Sequence, residues 1–137
     1  MTTGLGAKGE GGKARRYSYA QLDVFTERPL EGNALAVFTD ARGMSDLEMQ
    51  AVARETRLSE TTFVLPRDPK VEGERGVQVR IFTTEEELPF AGHPTLGTAF
   101  ALRGRSGAAE ITLELKAGRI PVAFTAESGG RVFGEMR

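Results

Sequence analysis

Chemistry in this chain has to come from a short inventory of side chains. The sequence has 137 residues, with one histidine and no cysteine. Without cysteine there can be no disulfides, no thiolate metal sites and no cysteine nucleophile. A single histidine also excludes metal motifs that need two, such as H-E-x-x-H. The remaining candidates are carboxylates, hydroxyls, helix termini and His93.

The first candidate is His93, in the run Gly92-His93-Pro94-Thr95. Proline suits the first turn of a helix, and the following residues 96–102 carry no charge, which predicts a helix buried all round. The N-terminus of such a helix offers free backbone N–H groups to a carboxylate. A histidine there could relay a proton or orient a substrate. The alternative is that His93 only caps the helix.

The second candidate is Glu60, which lies between two hydroxyl residues just before the apolar pair Phe63 and Val64. A carboxylate beside apolar side chains loses hydration, and this makes it a better base near neutral pH. The alternative is an ordinary glutamate at a strand edge, facing water.

The third candidate is the acidic run Glu85-Glu86-Glu87. Adjacent side chains in a loop or strand point in different directions, so three such carboxylates rarely share one ion. The run therefore predicts a solvated surface rather than a metal site, and we expect neither metal nor cofactor.

These candidates need elements to position them, and the sequence predicts strands and two helices. Apolar residues alternate or run together at 20–24, 34–38, 61–65, 77–81, 111–115, 120–124 and 132–133. The continuous run 34–38 is typical of a strand covered on both faces. Ser45 and Glu48 form a capping box that predicts a helix over 46–57, and the charged stretch 67–76 predicts an exposed loop. The order predicts a mostly antiparallel α+β fold.

Length and charge favour one domain over residues 17–137, preceded by a glycine-rich tail over 1–16 that we expect to be disordered. Eighteen basic and nineteen acidic residues give a net charge of −1, which argues against a nucleic-acid binder. No apolar run approaches the ~20 residues that span a membrane. Because no secretory segment follows Met1, we expect a cytoplasmic protein.

Four blocks of sequence resemble the phenazine-biosynthesis isomerase family, the PhzF-like proteins. The blocks are Asp23-Val24-Phe25-Thr26, Glu31-Gly32-Asn33-Ala34-Leu35-Ala36-Val37-Phe38, Leu58-Ser59-Glu60-Thr61-Thr62-Phe63-Val64 and Leu88-Pro89-Phe90-Ala91-Gly92-His93-Pro94-Thr95-Leu96-Gly97-Thr98-Ala99. The resemblance runs from about Tyr17 to Arg137 and follows the order of the family's N-terminal half.

The resemblance implies a diaminopimelate-epimerase-like fold, in which each of two halves curls strands around a central helix. It implies that Glu60 is the general acid/base and that His93 assists. The family's characterised reaction isomerises trans-2,3-dihydro-3-hydroxyanthranilate by proton movement, without metal or cofactor. The helix N-terminus would hold the substrate's carboxylate. The substrate-binding positions that we assign are Asn33, Gly92, Pro94 and Thr95.

The sequence departs from the family pattern in two small ways and one large one. Ala34 and Thr84 stand where proline is common. Family members also have a second half that brings an aspartate and a serine to the cleft. We therefore expect an isomerase or epimerase acting on a small carboxylate, with its site completed by a second chain, either in a homodimer or as a complementary C-terminal half. The alternatives are a catalytically inactive half-domain that binds a ligand or partner, and a plain structural module.

Overall fold

A computed structural model describes residues 2–5, 14–104 and 106–137, which form strands and three helices. The strands are β1 (Thr2–Leu5), β2 (Arg15–Val24), β3 (Asn33–Phe38), β4 (Glu60–Leu65), β5 (Val77–Phe82), β6 (Glu87–Leu88), β7 (Glu110–Leu115), β8 (Gly118–Ala126) and β9 (Val132–Met136). The helices are α1 (Asp46–Thr56), α2 (Pro69–Arg75) and α3 (Gly92–Arg103).

The strands form one sheet in the order β1-β2-β3-β4-β5-β7-β8-β9, with β6 added beside the end of β5. Two neighbouring pairs, β3/β4 and β5/β7, are parallel, and the others are antiparallel. The expected α+β class with mostly antiparallel strands is therefore confirmed.

The two parallel pairs explain why the sheet has a helix on each face. The chain crosses from β3 to β4 through α1, and from β5 to β7 through α3. Both crossovers step in the same direction along the sheet, but β5 runs antiparallel to β4. Since such crossovers are right-handed, the two helices fall on opposite faces.

Strand β3 is covered on both faces, as its continuous apolar sequence predicts. Leu35 and Val37 are buried in the cluster on the α3 face, whereas Ala36 and Phe38 are buried with α1 on the other. The sheet curls around α3, which contacts both β2 and β9 near the sheet's two ends.

Helix α1 begins where the sequence predicts. The Ser45 hydroxyl accepts from the Glu48 backbone N–H, and the Glu48 carboxylate accepts from the Ser45 N–H in return. This capping box satisfies two of the free donors at the helix start. The buried residues Met49, Val52 and Ala53 face the sheet.

Helix α3 forms as predicted, but it is not buried all round: Pro94, Thr95 and residues 97–99 are buried, whereas Leu96 and Phe100 are partly exposed. Gly97 allows close contact with the sheet, because a Cβ there would lie 2.5 Å from Leu35 Cδ2 and 2.8 Å from Val24 Cγ2. Thr98 and Thr62, both fully buried, share a hydroxyl hydrogen bond of 2.8 Å that joins α3 to β4. The helix is thus held against β3 and β4.

The structure differs from the sequence prediction over residues 67–76, where α2 replaces the expected exposed loop. Asp68 caps this helix by accepting from the Lys70 N–H, and Pro69 occupies its first turn. Aspartate followed by proline is a helix-start signal, and in this stretch it outweighs the glycine and the charges.

The expected disordered tail over 1–16 falls partly on residues 6–13, which lie outside the described residues. The described part differs from the expectation. Thr2–Leu5 pairs along the edge of β2, and β2 begins at Arg15 rather than near Tyr17. Arg15 is held there because its guanidinium binds Glu48 and donates to the Gly43 carbonyl at 2.9 Å.

Candidate active site

Glu60 and His93 lie together on the α3 face of the sheet. Glu60 begins β4, opposite Leu35 of β3, and its side chain shares a face with that of Thr62, which bonds α3. His93 is the second residue of α3. His93 Nδ1 lies 3.2 Å from Glu60 Oε2. The two residues whose types suggested proton chemistry are therefore adjacent.

Both side chains of this pair are largely covered, and each keeps a buried polar atom without a hydrogen-bond partner among the described residues. The His93 side chain is 10% exposed and the Glu60 side chain is 18% exposed. Glu60 Oε2 and His93 Nε2 are buried without a hydrogen-bond partner among the described residues. Glu60 Oε2 lies near His93 Nδ1, but the two atoms are not aligned for a hydrogen bond. Buried polar atoms are normally paired. Two unpaired polar atoms side by side therefore make this pair a candidate site for a polar ligand.

The start of α3 adds hydrogen-bond donors to this place. Its N-cap, Ala91, has no side chain that could bond the helix start, and Pro94 has no backbone N–H. In the described part of the chain, the backbone N–H groups of Gly92 and His93 have no acceptor, as is usual for the first turn of a helix. An anion at this point is also favoured by the helix dipole. His93 itself occupies the second helical position and not the cap, so the capping alternative does not describe it.

The other predicted binding positions contribute differently. Thr95 is fully buried, and its hydroxyl donates to the Ala91 carbonyl at 2.7 Å, so this side chain shapes the helix start. Pro94 is buried next to it. Asn33 is exposed at the start of β3. It lies two positions before Leu35, the residue that pairs with Glu60, so Asn33 and Glu60 lie at the same end of these two strands. The roles assigned to these residues in substrate binding stay predictions.

Phe25 is a neighbour of the site that the sequence did not single out. Its ring centroid lies 6.4 Å from that of His93, with the planes tilted by 51°. Its backbone has a φ of +62°, in the left-handed region that bulky residues rarely adopt. It belongs to the Asp23-Val24-Phe25-Thr26 block, which was the one sequence signal that could have drawn attention to it.

The acidic run divides into exposed and paired residues. Glu85 and Glu86 are exposed, as expected of a solvated run. Glu87 is instead 13% exposed, and it binds Arg80 at 2.7 Å and Lys116 at 2.8 Å. Its hydrogen bond with Arg80 is the main reason that the pKa of Glu87 lies below its ordinary value, against the opposing effect of burial. Within the described ranges, no three acidic or histidine side chains gather closely enough to hold a metal.

A groove of about 1150 Å³ adjoins the site. It is bordered by the end of β2, the loop that follows it, and β9, and its lining includes Leu96 and Phe100 of α3. Phe25 and Phe133 lie at the groove with 68% and 51% of their surfaces exposed.

None of the helices in the described ranges has the length and apolar character to cross a membrane.

A family model described as phenazine biosynthesis-like protein matches residues 22–136. The chain is 44% identical over 113 residues to the trans-2,3-dihydro-3-hydroxyanthranilate isomerase of Pseudomonas aeruginosa, a match that covers 82% of this chain and 39% of that protein. It is 47% identical over 116 residues to an uncharacterised isomerase of Mesorhizobium japonicum, covering 82% and 37% of the two proteins.

Solved structures agree with these sequence relatives. A PhzF-family phenazine biosynthesis protein of Bacillus anthracis has a TM-score of 0.76 at 34% identity, covering 87% of this chain and 39% of that one. A predicted epimerase of Pseudomonas aeruginosa has a TM-score of 0.73 at 46% identity, covering 86% and 41%. The chain therefore spans about two fifths of the length of these relatives. From the matched sequence and the shared half-barrel, the chain belongs to the phenazine biosynthesis-like family, as its four sequence blocks predicted.

Proposed function

We propose that this chain carries the acid/base pair of an isomerase or epimerase that moves a proton on a small carboxylate-bearing substrate. One observation carries the proposal. Glu60 and His93 are buried side by side at the open start of α3, and each keeps a polar atom without a partner. Relatives named as isomerases add support.

In the proposed reaction the substrate's carboxylate sits at the start of α3 and accepts from the N–H groups of Gly92 and His93. The Glu60 carboxylate takes a proton from a substrate carbon. The C–H bond breaks, and its electron pair enters the substrate's conjugated system. Glu60 then returns the proton to another carbon, or to the other face of the same carbon. No cofactor is part of this proposal.

The role that we propose for His93 follows from its two ring nitrogens. Nδ1 faces the Glu60 carboxylate, and Nε2 is left for the substrate. With its proton on Nδ1, a neutral imidazole presents Nε2 as an acceptor. His93 would then orient a substrate hydroxyl or amino group while Glu60 moves the proton.

The site is proposed to be completed by a second chain, either another copy of this chain or a complementary C-terminal half. The chain spans about two fifths of its relatives, and the groove with its exposed Phe25 and Phe133 lies beside the site. A partner there would cover these rings and close the cleft over the pair.

The test is deuterium incorporation into trans-2,3-dihydro-3-hydroxyanthranilate in D2O, followed by proton NMR with the full chain. Glu60→Gln is expected to slow exchange by about 10²- to 10⁴-fold, because the amide cannot act as the base. Glu55→Gln, on the exposed face of α1, is the matched control and should exchange at the wild-type rate. Equal rates in Glu60→Gln and the wild type would contradict the proposal.

The second candidate is a catalytically inactive half-domain that binds a carboxylate or a partner. The partial coverage of its relatives favours it. Saturable substrate binding without deuterium exchange, in the chain alone and in any assembly it forms, would establish this reading over the first.

A further inference from the structure

We propose that Phe25 is a positioning residue for His93, and that the β2–β3 loop (residues 25–32) holds it in that role. The effect on turnover rests on the proposed function of the Glu60–His93 pair. The effect on the His93 ring does not, because it is a property of the free protein.

The first observation is the backbone at Phe25. An aromatic residue with a φ of +62° persists only where the surrounding structure fixes it. The same loop has a second left-handed residue, Leu30, at a φ of +69°. Asp23 Oδ2 accepts the Leu30 N–H at 2.7 Å, and Thr26 Oγ1 accepts the Arg28 N–H at 3.0 Å. The loop is therefore tied down at both ends.

The second observation is how closely this loop returns to β2. A Cβ on Gly32 would lie 2.5 Å from the Val24 carbonyl oxygen and 2.6 Å from Thr26 Cγ2. Only glycine allows that approach, so the loop closes directly over its own start. The closure fixes the direction in which the chain leaves Val24, and hence the left-handed turn that carries the Phe25 ring outwards.

The third observation is where the ring goes. Phe25 is 68% exposed, although a large apolar side chain at a strand end ordinarily folds inwards. Its ring approaches that of His93 with the two planes tilted by 51°. His93 meets Glu60 at Nδ1 and Phe25 across its ring. These two neighbours limit rotation of the imidazole, which keeps Nδ1 close to Glu60 and Nε2 available for a ligand.

The first test uses the fact that His93 is the sole histidine of the sequence, so its ring signals need no assignment. Proton–nitrogen NMR of the ring reports which nitrogen is protonated and how far the ring moves. The wild type is expected to show one tautomer with ring protons shifted by Phe25. Phe25→Leu and Phe25→Ala should show averaged tautomers and lose that shift.

Phe133→Leu is the matched control, since it removes another exposed aromatic ring from the same groove and should leave the His93 signals unchanged. A single His93 tautomer in Phe25→Ala, as in the wild type, would overturn the proposal, because removal of the ring alone abolishes the ring-proton shift.

Phe25→Gly separates positioning from stability. Glycine removes the ring and also relieves the left-handed backbone, so the midpoint of urea unfolding should stay the same or rise while the His93 signals change as in Phe25→Ala. A fall in the midpoint with unchanged His93 signals would show a purely structural role and overturn the proposal.

The second test is kinetic, with trans-2,3-dihydro-3-hydroxyanthranilate as the probe. Phe25→Leu should lower kcat by about 10- to 100-fold, as expected for loss of positioning, while KM stays close to the wild-type value. Phe25→Tyr should restore kcat. A KM effect with unchanged kcat would overturn positioning in favour of direct substrate binding. If neither the wild-type chain nor any assembly that it forms turns over this probe, the proposed function fails for this substrate, and the NMR comparison still decides the role of Phe25.

Discussion

His93 uses one ring nitrogen towards Glu60 and leaves the other without a partner. Leaving a buried polar atom unpaired lowers stability by about 1–3 kcal/mol, so this arrangement is costly unless a ligand completes it. The sequence alone marks Glu60 and His93 as candidate site residues, through their residue types and the sequence blocks around them. The sequence could not predict which polar atoms lack a partner, because that depends on how β4 and α3 pack together.

Leu30 carries a residue-scale prediction about backbone strain. It is 92% exposed with a φ of +69°, so its side chain contributes little packing while its backbone is strained. Leu30→Gly should stabilise the protein by about 0.5–1 kcal/mol, because relief of the left-handed conformation exceeds the extra chain entropy of glycine. Urea unfolding measures this change.

Leu47→Gly is the comparison, since Leu47 is an equally apolar, 84% exposed residue within α1. There glycine should destabilise by about 1 kcal/mol. Destabilisation by both substitutions would contradict a strained β2–β3 loop.

At the scale of elements, the packing of α3 against β3 depends on one glycine. Gly97→Ala would place a methyl group 2.5 Å from Leu35 Cδ2. We expect a loss of about 1–3 kcal/mol in unfolding free energy, since the side chains must shift to admit it.

Gly73→Ala in α2 is the matched control, because a Cβ there meets nothing within 4 Å. Alanine is the better helix former, so this substitution should raise stability by about 0.5–1 kcal/mol. The close approach of α3 to β3 would be refuted if the two substitutions shifted the urea midpoint equally.

The ion pairs of Glu87 join elements and predict a pH dependence. Arg80 lies in β5, Glu87 in β6 and Lys116 just after β7, and Arg80 also binds Asp46 of α1 at 2.6 Å. Glu87→Gln should cost about 1–3 kcal/mol at pH 7.

The sign of the pH dependence follows from the lowered pKa of Glu87. A folded-state pKa below the unfolded one means that the unfolded chain binds more protons. The stabilisation is therefore fully present above the ordinary value of 4.5 and is lost as pH falls through the lowered pKa. Urea unfolding from pH 7 to pH 3 should show the variant and the wild type converging. An equal difference at every pH would contradict this, and Glu85→Gln, an exposed neighbour, should show little effect throughout.

At the scale of the whole molecule, the exposed groove predicts assembly. Phe133 at its edge is 51% exposed, and contiguous exposed apolar surface favours association. Sedimentation velocity at micromolar concentration should show a species of twice the chain mass, and Phe133→Lys should shift it to monomer. Deuterium exchange by a strictly monomeric chain, with no partner added, would argue against completion by a second chain.

At this scale the sequence predicts well those elements that are determined by a local pattern of residues. Ser45 and Glu48 predict the start of α1, and residues 34–38 predict a strand buried on both faces, because each signal lies within a few residues. No apolar alternation marks the two-residue strand β6 or the segment Thr2–Leu5, and both are strands only because their backbones pair with β5 and β2. The left-handed backbone of Phe25 and the close approach of Gly32 to Val24 occur in the same loop, and no local pattern of apolar residues encodes either.

The crossover connections have a consequence for folding. Glu60 and His93 come from opposite sides of β5 in the chain, and they meet only when α3 has docked across β3 and β4. Docking of α3 across β3 and β4 closes a long loop, and the chain loses the entropy of that loop before the stabilising contacts form. We therefore expect this docking late in folding. The Glu60–His93 pair is therefore absent from any partly folded state without docked α3. We expect the pair to form together with slow amide exchange in the centre of the sheet.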